Sequence, residues 1–519
     1  MTRPATLPRH DELVRPEEGK PQTGTGAAGV AHGWTAAFDL VLLIGGLVIL
    51  HIAVSGVIPS GGDGGNWLAL ARDSLGETVM SADVVYEPVF IGLLASLLRL
   101  FEPVDALLVS ALLSEALLIG AVYLSVRRAG RLAALVSSVL VGMAGYRLEA
   151  YAWGAYPQIL ALALGVLTVS AATRFVRQGG WARLVLIAGG IVAVLSTHKL
   201  VGGLMLMAIP AAALHILWLG RSARDMWRWA AFVVGVSSVV GAFFVTSWFV
   251  ASSEGVEPTL NALGLSRGEQ LEFAIQEAAI PWAIVAVLAA VGWSLRSWRA
   301  EAAPTISVFF GWAIASVAGF VVLAEPRVLI QTEVALVPVA VLVVWRVLEA
   351  TLGSSRLWRA GRLAVGLLGV ALLGSLFLTG LHRYDLAAHW YRVAGVRQLE
   401  ALSALSEIAE PGDLAISSRG PNGNPIGWWV EGYSGVPTYT SIDTAFLAFP
   451  QERAQAEAAS GIFSAPPDEA AAMLNELGAR FLVLDRRGPD VGWLSGGETT
   501  GLTPLSDGTL LVMEVSDGP

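Results

Sequence analysis

Hydrophobic runs long enough to cross a bilayer dominate this sequence of 519 residues. An α-helix rises about 1.5 Å per residue, so a hydrocarbon layer of about 30 Å requires about 20 apolar residues. Only 14% of the residues are charged, against about 25% in soluble domains. The sequence therefore predicts an α-helical polytopic membrane protein. Its eleven predicted spanning helices are residues 35–58, 104–126, 131–146, 157–176, 183–198, 200–219, 228–250, 280–297, 304–324, 331–348 and 362–381.

One further apolar stretch, residues 88–100, is too short and too amphipathic to cross, which favours an in-plane helix in the first outer loop. Leaving it in plane places 15 arginines in cytoplasmic loops, against six Arg and Lys in the outer loops between helices. That bias is typical of the cytoplasmic side. The expected cytoplasmic loops are residues 127–131, 174–183, 221–228, 296–301 and 346–362.

Three regions follow from this pattern. Residues 1–33 are polar, lack the apolar core of a signal peptide, and are predicted to be a disordered cytoplasmic arm. Residues 34–381 form the transmembrane domain. Residues 382–519 carry 8 Lys and Arg against 18 Asp and Glu, so they are expected to be water-exposed and to lie outside the cytoplasm. The predicted location is the plasma membrane, crossed many times.

The final region is predicted to be a small α/β domain. Residues 414–417 and 480–484 are expected to be buried strands, and residues 387–407 and 452–460 are expected to be helices. The absence of cysteine excludes disulfides and thiolate metal sites. Nothing in the acidic balance indicates nucleic-acid binding.

Polar residues collect at one face of the membrane once this topology is drawn. Ionisable residues at membrane depth are costly, and they often mark a site. They fall in the predicted outer turns: Asp63 in a glycine-rich loop; Asp83 and Glu87 before the in-plane helix; Arg147, Glu149, Tyr151, Trp153, Tyr156 and Gln158; His198 and Lys199; and Glu325 and Arg327.

Each of these residues also has a structural interpretation. Asp63 would shape a glycine-rich turn, and Glu87 would cap the in-plane helix. His198 would make a hydrogen bond at the membrane interface, and Lys199 would extend its amine to water. Arg327 would anchor a helix end. The tyrosines and tryptophans between residues 151 and 156 also fit an aromatic belt.

The functional interpretation is transfer from an anionic lipid carrier. A carboxylate can deprotonate an acceptor hydroxyl or hold a divalent cation. Arginine and lysine can hold a phosphate leaving group and stabilise its developing charge.

The layout resembles the GT-C superfamily of polyprenol-phosphate-dependent glycosyltransferases, which includes oligosaccharyltransferases, protein mannosyltransferases and aminoarabinose transferases. The likeness covers roughly residues 35–350 and rests on layout more than on identity. The segments that carry it are Gly62-Asp63-Gly64, Tyr86-Glu-Pro-Val-Phe-Ile-Gly-Leu-Leu94, Trp153-Gly-Ala-Tyr-Pro-Gln158, Ser196-Thr-His-Lys199 and Pro326-Arg327.

The resemblance implies roles for these residues. Asp63 would be the catalytic base or a ligand of a divalent cation such as Mg²⁺ or Mn²⁺, and Glu87 would be a second acidic group. Lys199 and Arg327 would hold the lipid phosphate. The other candidate substrate-binding residues are His198, Arg147, Tyr156 and Gln158.

Two features depart from that family. No second acidic residue adjoins Asp63, and no Trp-Trp-Asp signature is present. Residues 427–431 read Gly-Trp-Trp-Val-Glu. Trp428 and Trp429 would stack on a sugar or pack within a strand, and packing is favoured.

Three hypotheses remain. The first is a membrane glycosyltransferase that uses a polyprenyl-phosphate-linked sugar donor and a cell-envelope acceptor, with membrane lipids as its other partners. The second is a non-catalytic GT-C-like subunit that binds partners or assembles envelope components through residues 382–519. The third is a lipid flippase or transporter, which the absence of an internal repeat disfavours.

Overall fold

A computed structural model describes most of the chain. The described residues are 25–56, 58–59, 61–77, 86–218, 235, 303–323, 328–352, 356–424, 426–439, 450–496, 501–506 and 508–516. Predicted helices 228–250 (apart from residue 235) and 280–297 lie outside them, as do Asp83, Glu325 and Arg327. The chain divides into two compact units, Met1–Leu42 and Leu43–Pro519.

Helices account for most of the described chain before residue 391. They are α1 (Thr25–Ser55), α2 (Gly62–Ser74), α3 (Pro88–Leu98), α4 (Pro103–Val126), α5 (Arg131–Gly142), α6 (Gly145–Trp153), α7 (Tyr156–Gln178), α8 (Trp181–Leu195), α9 (Lys199–Trp218), α10 (Ala303–Leu323), α11 (Val328–Leu352) and α12 (Arg356–Trp390). Helix α1 begins ten residues before the predicted start at residue 35.

The described residues include five helices that are long and apolar enough to cross a membrane, or six if one bent pair counts as a single span. This composition agrees with a polytopic membrane protein, and the total of eleven spans stays a prediction. The five candidate spans are Trp34–Val54, Pro103–Ala129, Tyr156–Val176, Lys199–Ile216 and Leu367–Trp390.

The predicted helix at residues 131–146 is wrong in one respect, because α5 ends at Gly142 and α6 starts a new direction bent by 44°. The Arg147 guanidinium, in the first turn of α6, donates to the Gly142 carbonyl at the end of α5. It also pairs with the Glu115 carboxylate of α4, and both side chains are buried. The last carbonyls of a helix lack partners within it, so Arg147 satisfies one of those left by the break.

Helix α3 has the predicted short form. Its 11 residues span about 16 Å, too little to cross the hydrocarbon layer. Pro88 occupies its first turn, where a missing backbone N–H costs no helical hydrogen bond. The Val89 N–H donates to the Ser196 carbonyl at 2.9 Å, which ties the start of α3 to the turn before α9.

The last long helix continues through the expected domain boundary at residue 381 and ends at Trp390. The predicted helix at residues 387–407 is therefore two helices, the end of α12 and α13 (Val396–Ile408). The described part of the C-terminal region then adds α14 (Pro450–Ile462), α15 (Pro467–Glu476), β1 (Ala415–Ser417), β2 (Thr438–Tyr439), β3 (Phe481–Asp485), β4 (Leu502–Pro504) and β5 (Leu510–Val515).

The five strands form one mixed sheet in the order β2-β1-β3-β5-β4. Strand β1 pairs in parallel with β2 and β3, whereas β5 is antiparallel to β3 and β4. Every residue of β3 is buried, as expected for a strand covered on both faces. The predicted strands at residues 414–417 and 480–484 are thus confirmed to within one residue at each end. Apolar residues of β1, β3, β5, α14 and α15 share one core.

Candidate active site

Asp63 lies in the first turn of α2 and is half-buried. A carboxylate at that position is stabilised by the positive end of the helix dipole. The glycines around Asp63 permit close backbone packing, which explains why there are so many of them in this segment. A Cβ on Gly61 would lie 2.5 Å from the Ala152 carbonyl oxygen, and one on Gly154 would lie 3.0 Å from the Asp63 Cβ. The chain therefore enters α2 directly against the end of α6.

A tyrosine and a glutamate lie in the neighbourhood of Asp63. The Tyr391 hydroxyl donates to the Glu149 carboxylate at 3.3 Å, and its ring meets Trp153 edge-on at 6.0 Å. Burial raises the pKa of Tyr391, and the charges of Glu149 and Asp63 raise it further. Asp63 and Glu149 thus act on the same hydroxyl from two different helices, α2 and α6.

The structure brings together two other predicted residues, Glu87 and Lys199. The Glu87 carboxylate lies 3.6 Å from the Lys199 ammonium and accepts the Lys199 backbone N–H at 3.3 Å. The prediction that Glu87 caps the in-plane helix is wrong, since it makes no side-chain cap bond in α3. It bonds instead to the first residue of α9, where a backbone N–H has no partner within the helix.

The two members of this pair differ in exposure. The Lys199 side chain is 51% exposed, whereas that of Glu87 is 10% exposed. Burial raises the pKa of Glu87, and the Lys199 charge opposes that shift. The pair therefore presents an ammonium to the surroundings above a largely buried carboxylate.

Aromatic rings connect the two polar groups. Trp67 of α2 lies 4.6 Å from Tyr86, which meets the His198 ring edge-on at 6.4 Å between centroids. The Trp67 indole N–H donates to the Gly154 carbonyl at 2.6 Å, beside Asp63. His198 Nδ1 accepts the Val201 N–H at 3.5 Å. These contacts place Asp63 and the Lys199 pair around one aromatic layer.

Three predicted substrate-binding residues are more buried than Asp63 and Lys199. Tyr156 and Gln158, in the first turn of α7, are buried, and the Tyr156 ring packs 5.4 Å from Tyr151 and 6.5 Å from Phe90. Arg147 has no exposed side-chain surface and is engaged by Glu115, so the described conformation offers it a structural role. The position of Arg327 lies outside the described residues.

The segment at residues 427–434 packs on α2, although Trp428 and Trp429 were expected in a strand. It is helical, with a final turn of π-helix. The Trp429 indole N–H donates to the Gly61 carbonyl at 3.0 Å. A Cβ on Gly65 would lie 2.5 Å from the Trp429 backbone nitrogen. Local sequence favoured a strand, but this packing depends on glycines more than 350 residues earlier.

A second contact closes the same interface. Arg72, near the end of α2, donates from Nη1 to the Gly432 carbonyl at 3.2 Å and to the Tyr433 carbonyl at 2.8 Å. These are carbonyls in the last turn of the segment at residues 427–434, where cations are favoured. The C-terminal region thus braces the helix that carries Asp63 at both ends.

A divalent cation at Asp63 would need several further ligands nearby. Within the described residues there is no group of three or more His, Cys, Asp or Glu side chains that could hold a metal ion. The described donors therefore do not form a complete metal site at Asp63, and its role as a metal ligand stays a prediction.

Sequence reasoning missed Tyr391 and Arg72 as contributors to this region. Tyr391 follows the last apolar helix, and Arg72 lies on the predicted helix after Asp63. Their positions in the sequence only weakly indicated a role in this region, because each contacts a residue far away in sequence.

Comparisons with known proteins agree with the geometry. No family model matches the chain, and no curated protein matches it. Several solved structures are similar to this chain. Archaeal oligosaccharyltransferase AglB from Archaeoglobus fulgidus, in complex with an inhibitory peptide and a dolichol-phosphate, is 14% identical over 94% of this chain and 74% of that one, with a TM-score of 0.54.

ArnT from Cupriavidus metallidurans, bound to undecaprenyl phosphate, is 15% identical over 93% of this chain and 98% of that one, with a TM-score of 0.54. Arabinofuranosyltransferase AftD from Mycobacteria is 17% identical over 92% of this chain and 41% of that one, with a TM-score of 0.56. All three are GT-C glycosyltransferases. The expected resemblance is confirmed at the level of fold: this chain has the fold of the GT-C superfamily.

Proposed function

We propose that this protein is a membrane glycosyltransferase that transfers a sugar from a polyprenyl-phosphate-linked donor to a cell-envelope acceptor on the extracytoplasmic side of the plasma membrane. The observation that carries the proposal is the position of Asp63, half-buried in the first turn of α2 within a GT-C fold. Two structural neighbours contain dolichol-phosphate or undecaprenyl phosphate, which supports a donor of that chemical class.

In the proposed reaction, Asp63 accepts the proton of the acceptor hydroxyl while that oxygen attacks the anomeric carbon of the sugar. A glycosidic bond forms, and the bond between the anomeric carbon and the donor phosphate oxygen breaks. The bonding electrons leave with the phosphate, which stays attached to the polyprenyl chain. The exposed ammonium of Lys199 stabilises the charge that develops there.

Glu87 is proposed to position this lysine. Its carboxylate holds both the side chain and the backbone N–H of Lys199, so the ammonium starts from a defined location. Comparing transfer before and after EDTA treatment, with Mg²⁺ or Mn²⁺ restored, tests the predicted cation requirement.

The direct test measures sugar transfer from radiolabelled polyprenyl-phosphate sugars by the full chain in proteoliposomes. Asp63→Asn keeps the shape of the side chain and removes the base, so we expect the rate to fall by about 10²–10⁴. Asp73→Asn is the matched control, because Asp73 is exposed on the same helix. Equal rates for Asp63→Asn and the wild type would remove Asp63 from the mechanism.

The non-catalytic subunit remains a second candidate because charges in this region satisfy one another. Arg147 pairs with Glu115, and Glu87 pairs with Lys199. Purification of the chain with a stoichiometric partner, without transfer from any polyprenyl-phosphate sugar, would favour this function over catalysis.

A further inference from the structure

Arginine is distributed unevenly in the acidic C-terminal region. From residue 382 onward, 8 Lys and Arg oppose 18 Asp and Glu. Five of those eight lie around one edge of the sheet. We define this arginine edge as Arg392, Arg397, Arg419, Arg486 and Arg487.

The topology of the sheet gathers these residues. Strands β1 and β3 are parallel neighbours, so their carboxyl ends meet at the same edge. Arg419 follows β1, and Arg486 and Arg487 follow β3 directly. The Arg486 N–H donates to the Thr509 carbonyl at 2.9 Å, and Gln398, adjacent to Arg397, donates to the Thr509 hydroxyl at 2.6 Å.

The arginine edge also contacts the end of the last candidate membrane span. Arg487 Nη2 donates to the Val393 carbonyl at 2.5 Å. The side-chain amides of Asn422 and Asn424 donate to the Trp390 carbonyl at 3.0 and 3.3 Å. Trp390 is the last residue of the span that begins at Leu367. The edge therefore lies beside the C-terminal end of this candidate span.

Exposed apolar side chains accompany the charges there. Trp390 is 57% exposed and Val396 is 61% exposed. Arginine mixed with exposed tryptophan and valine is typical of a surface in contact with lipid headgroups. Arg487 pairs with Asp485, and Arg419 pairs with Asp490, within the same edge.

We propose that the arginine edge binds anionic phospholipid headgroups of the adjacent bilayer face and so holds the C-terminal region against the membrane. An overall acidic region would otherwise be repelled by an anionic surface. The local reversal of charge next to the exit of α12 removes that conflict. Each arginine near such a surface strengthens binding about fivefold at physiological salt. This proposal does not depend on glycosyl transfer.

The test reconstitutes the full chain into nanodiscs of phosphatidylcholine alone or mixed with phosphatidylglycerol. Backbone hydrogen exchange is followed at residues 391–397, 419–424 and 486–491. We expect exchange to slow several-fold with phosphatidylglycerol, and we expect added salt to reverse the effect. The variant Arg392→Gln/Arg397→Gln/Arg486→Gln should lose the lipid dependence, whereas soluble glycerol phosphate should not reproduce it in the wild type.

Arg480→Gln is the matched control, because Arg480 precedes β3 and pairs with Asp413 and Glu514 at the opposite end of the strand. It should keep the response to phosphatidylglycerol. Equal exchange in both lipids for the wild type, or an unchanged response in the triple variant, would overturn the proposal. If the triple variant does not fold, Arg397→Gln should still show a weaker slowing of exchange by phosphatidylglycerol than the wild type. An unchanged response in Arg397→Gln, or a wild-type response that added salt does not reverse, would overturn the proposal.

Discussion

Two ion pairs, Arg147–Glu115 and Lys199–Glu87, each contain at least one predicted outer-face residue but differ in environment. The first has almost no exposed side-chain surface and connects α4 to the break between α5 and α6. In the second, half of the lysine side chain is exposed. Charge and predicted topology alone do not distinguish a structural ion pair from one that a substrate can reach. The exposure of the cationic side chain does distinguish them.

Removing one member of the buried pair should give the largest effect. Arg147→Met leaves Glu115 as an uncompensated charge and frees the Gly142 carbonyl. We expect a loss of about 3–5 kcal/mol in the free energy of unfolding. Thermal and denaturant unfolding in detergent micelles measure it, with the exposed Arg99→Met as the control.

The double variant Arg147→Met/Glu115→Leu sharpens the interpretation. With both charges gone, much of the lost stability should return, because the penalty arises from the unpaired carboxylate. A double variant no more stable than Arg147→Met would mean that packing and the Gly142 contact dominate over charge.

A contact without charge provides the next test. Gly65→Ala would place a Cβ 2.5 Å from backbone atoms of Trp428 and Trp429, so we expect a loss of about 1–3 kcal/mol. Gly92→Ala in α3 has no atom within 4 Å of its Cβ and should be neutral or slightly stabilising. Equal unfolding temperatures for the two variants would contradict the close approach of α2 to residues 427–434.

The exposed pair should affect donor binding more than stability. If Lys199 holds the donor phosphate and stabilises its developing charge, Lys199→Met should raise the KM for the lipid donor and also lower kcat, reducing kcat/KM about tenfold, the effect of one charged hydrogen bond. Stability should change by less than about 1 kcal/mol, because half of the side chain is exposed and solvent screens the pair. A normal KM with lost stability would place Lys199 with the structural pair instead.

The pH dependence of stability that arises from Glu87 should be the smallest of these effects. Burial raises the pKa of Glu87 above its ordinary value of 4.5, so the folded state binds its proton more tightly than the unfolded state. The stabilising contribution of the protonated group is present below that ordinary value and is lost as pH rises through the raised pKa. Glu87→Gln should therefore gain stability relative to the wild type as pH rises above about 4.5. Parallel melting curves at every pH would contradict this.

Local patterns were sufficient for several elements. The short, largely apolar segments of β1 and β3 each define a buried strand with little help from the rest of the chain, and the apolar run after Pro88 defines a short helix. Asp63 was identified because charged residues are rare in the membrane domain.

Long-range contacts explain the remaining differences. The break after Gly142 depends on Arg147 and on Glu115 from another helix. The backbone at Trp429 packs on α2 because the glycines of α2 allow it to approach. A single sequence carries no sign of which distant segment will supply such a partner, so the pairing of Glu87 with Lys199 was also not predictable.

The bracing of α2 by the C-terminal region has a consequence for biogenesis. Arg72 and Gly432 are 360 residues apart in sequence, and Gly61 and Trp429 are 368 apart. Ribosomes add about 5–20 residues each second, so about 20 to 70 s separate the synthesis of Asp63 from that of the segment that braces α2. A nascent chain that has already inserted its early helices would thus still lack a completed candidate site until residues 427–434 pack on α2.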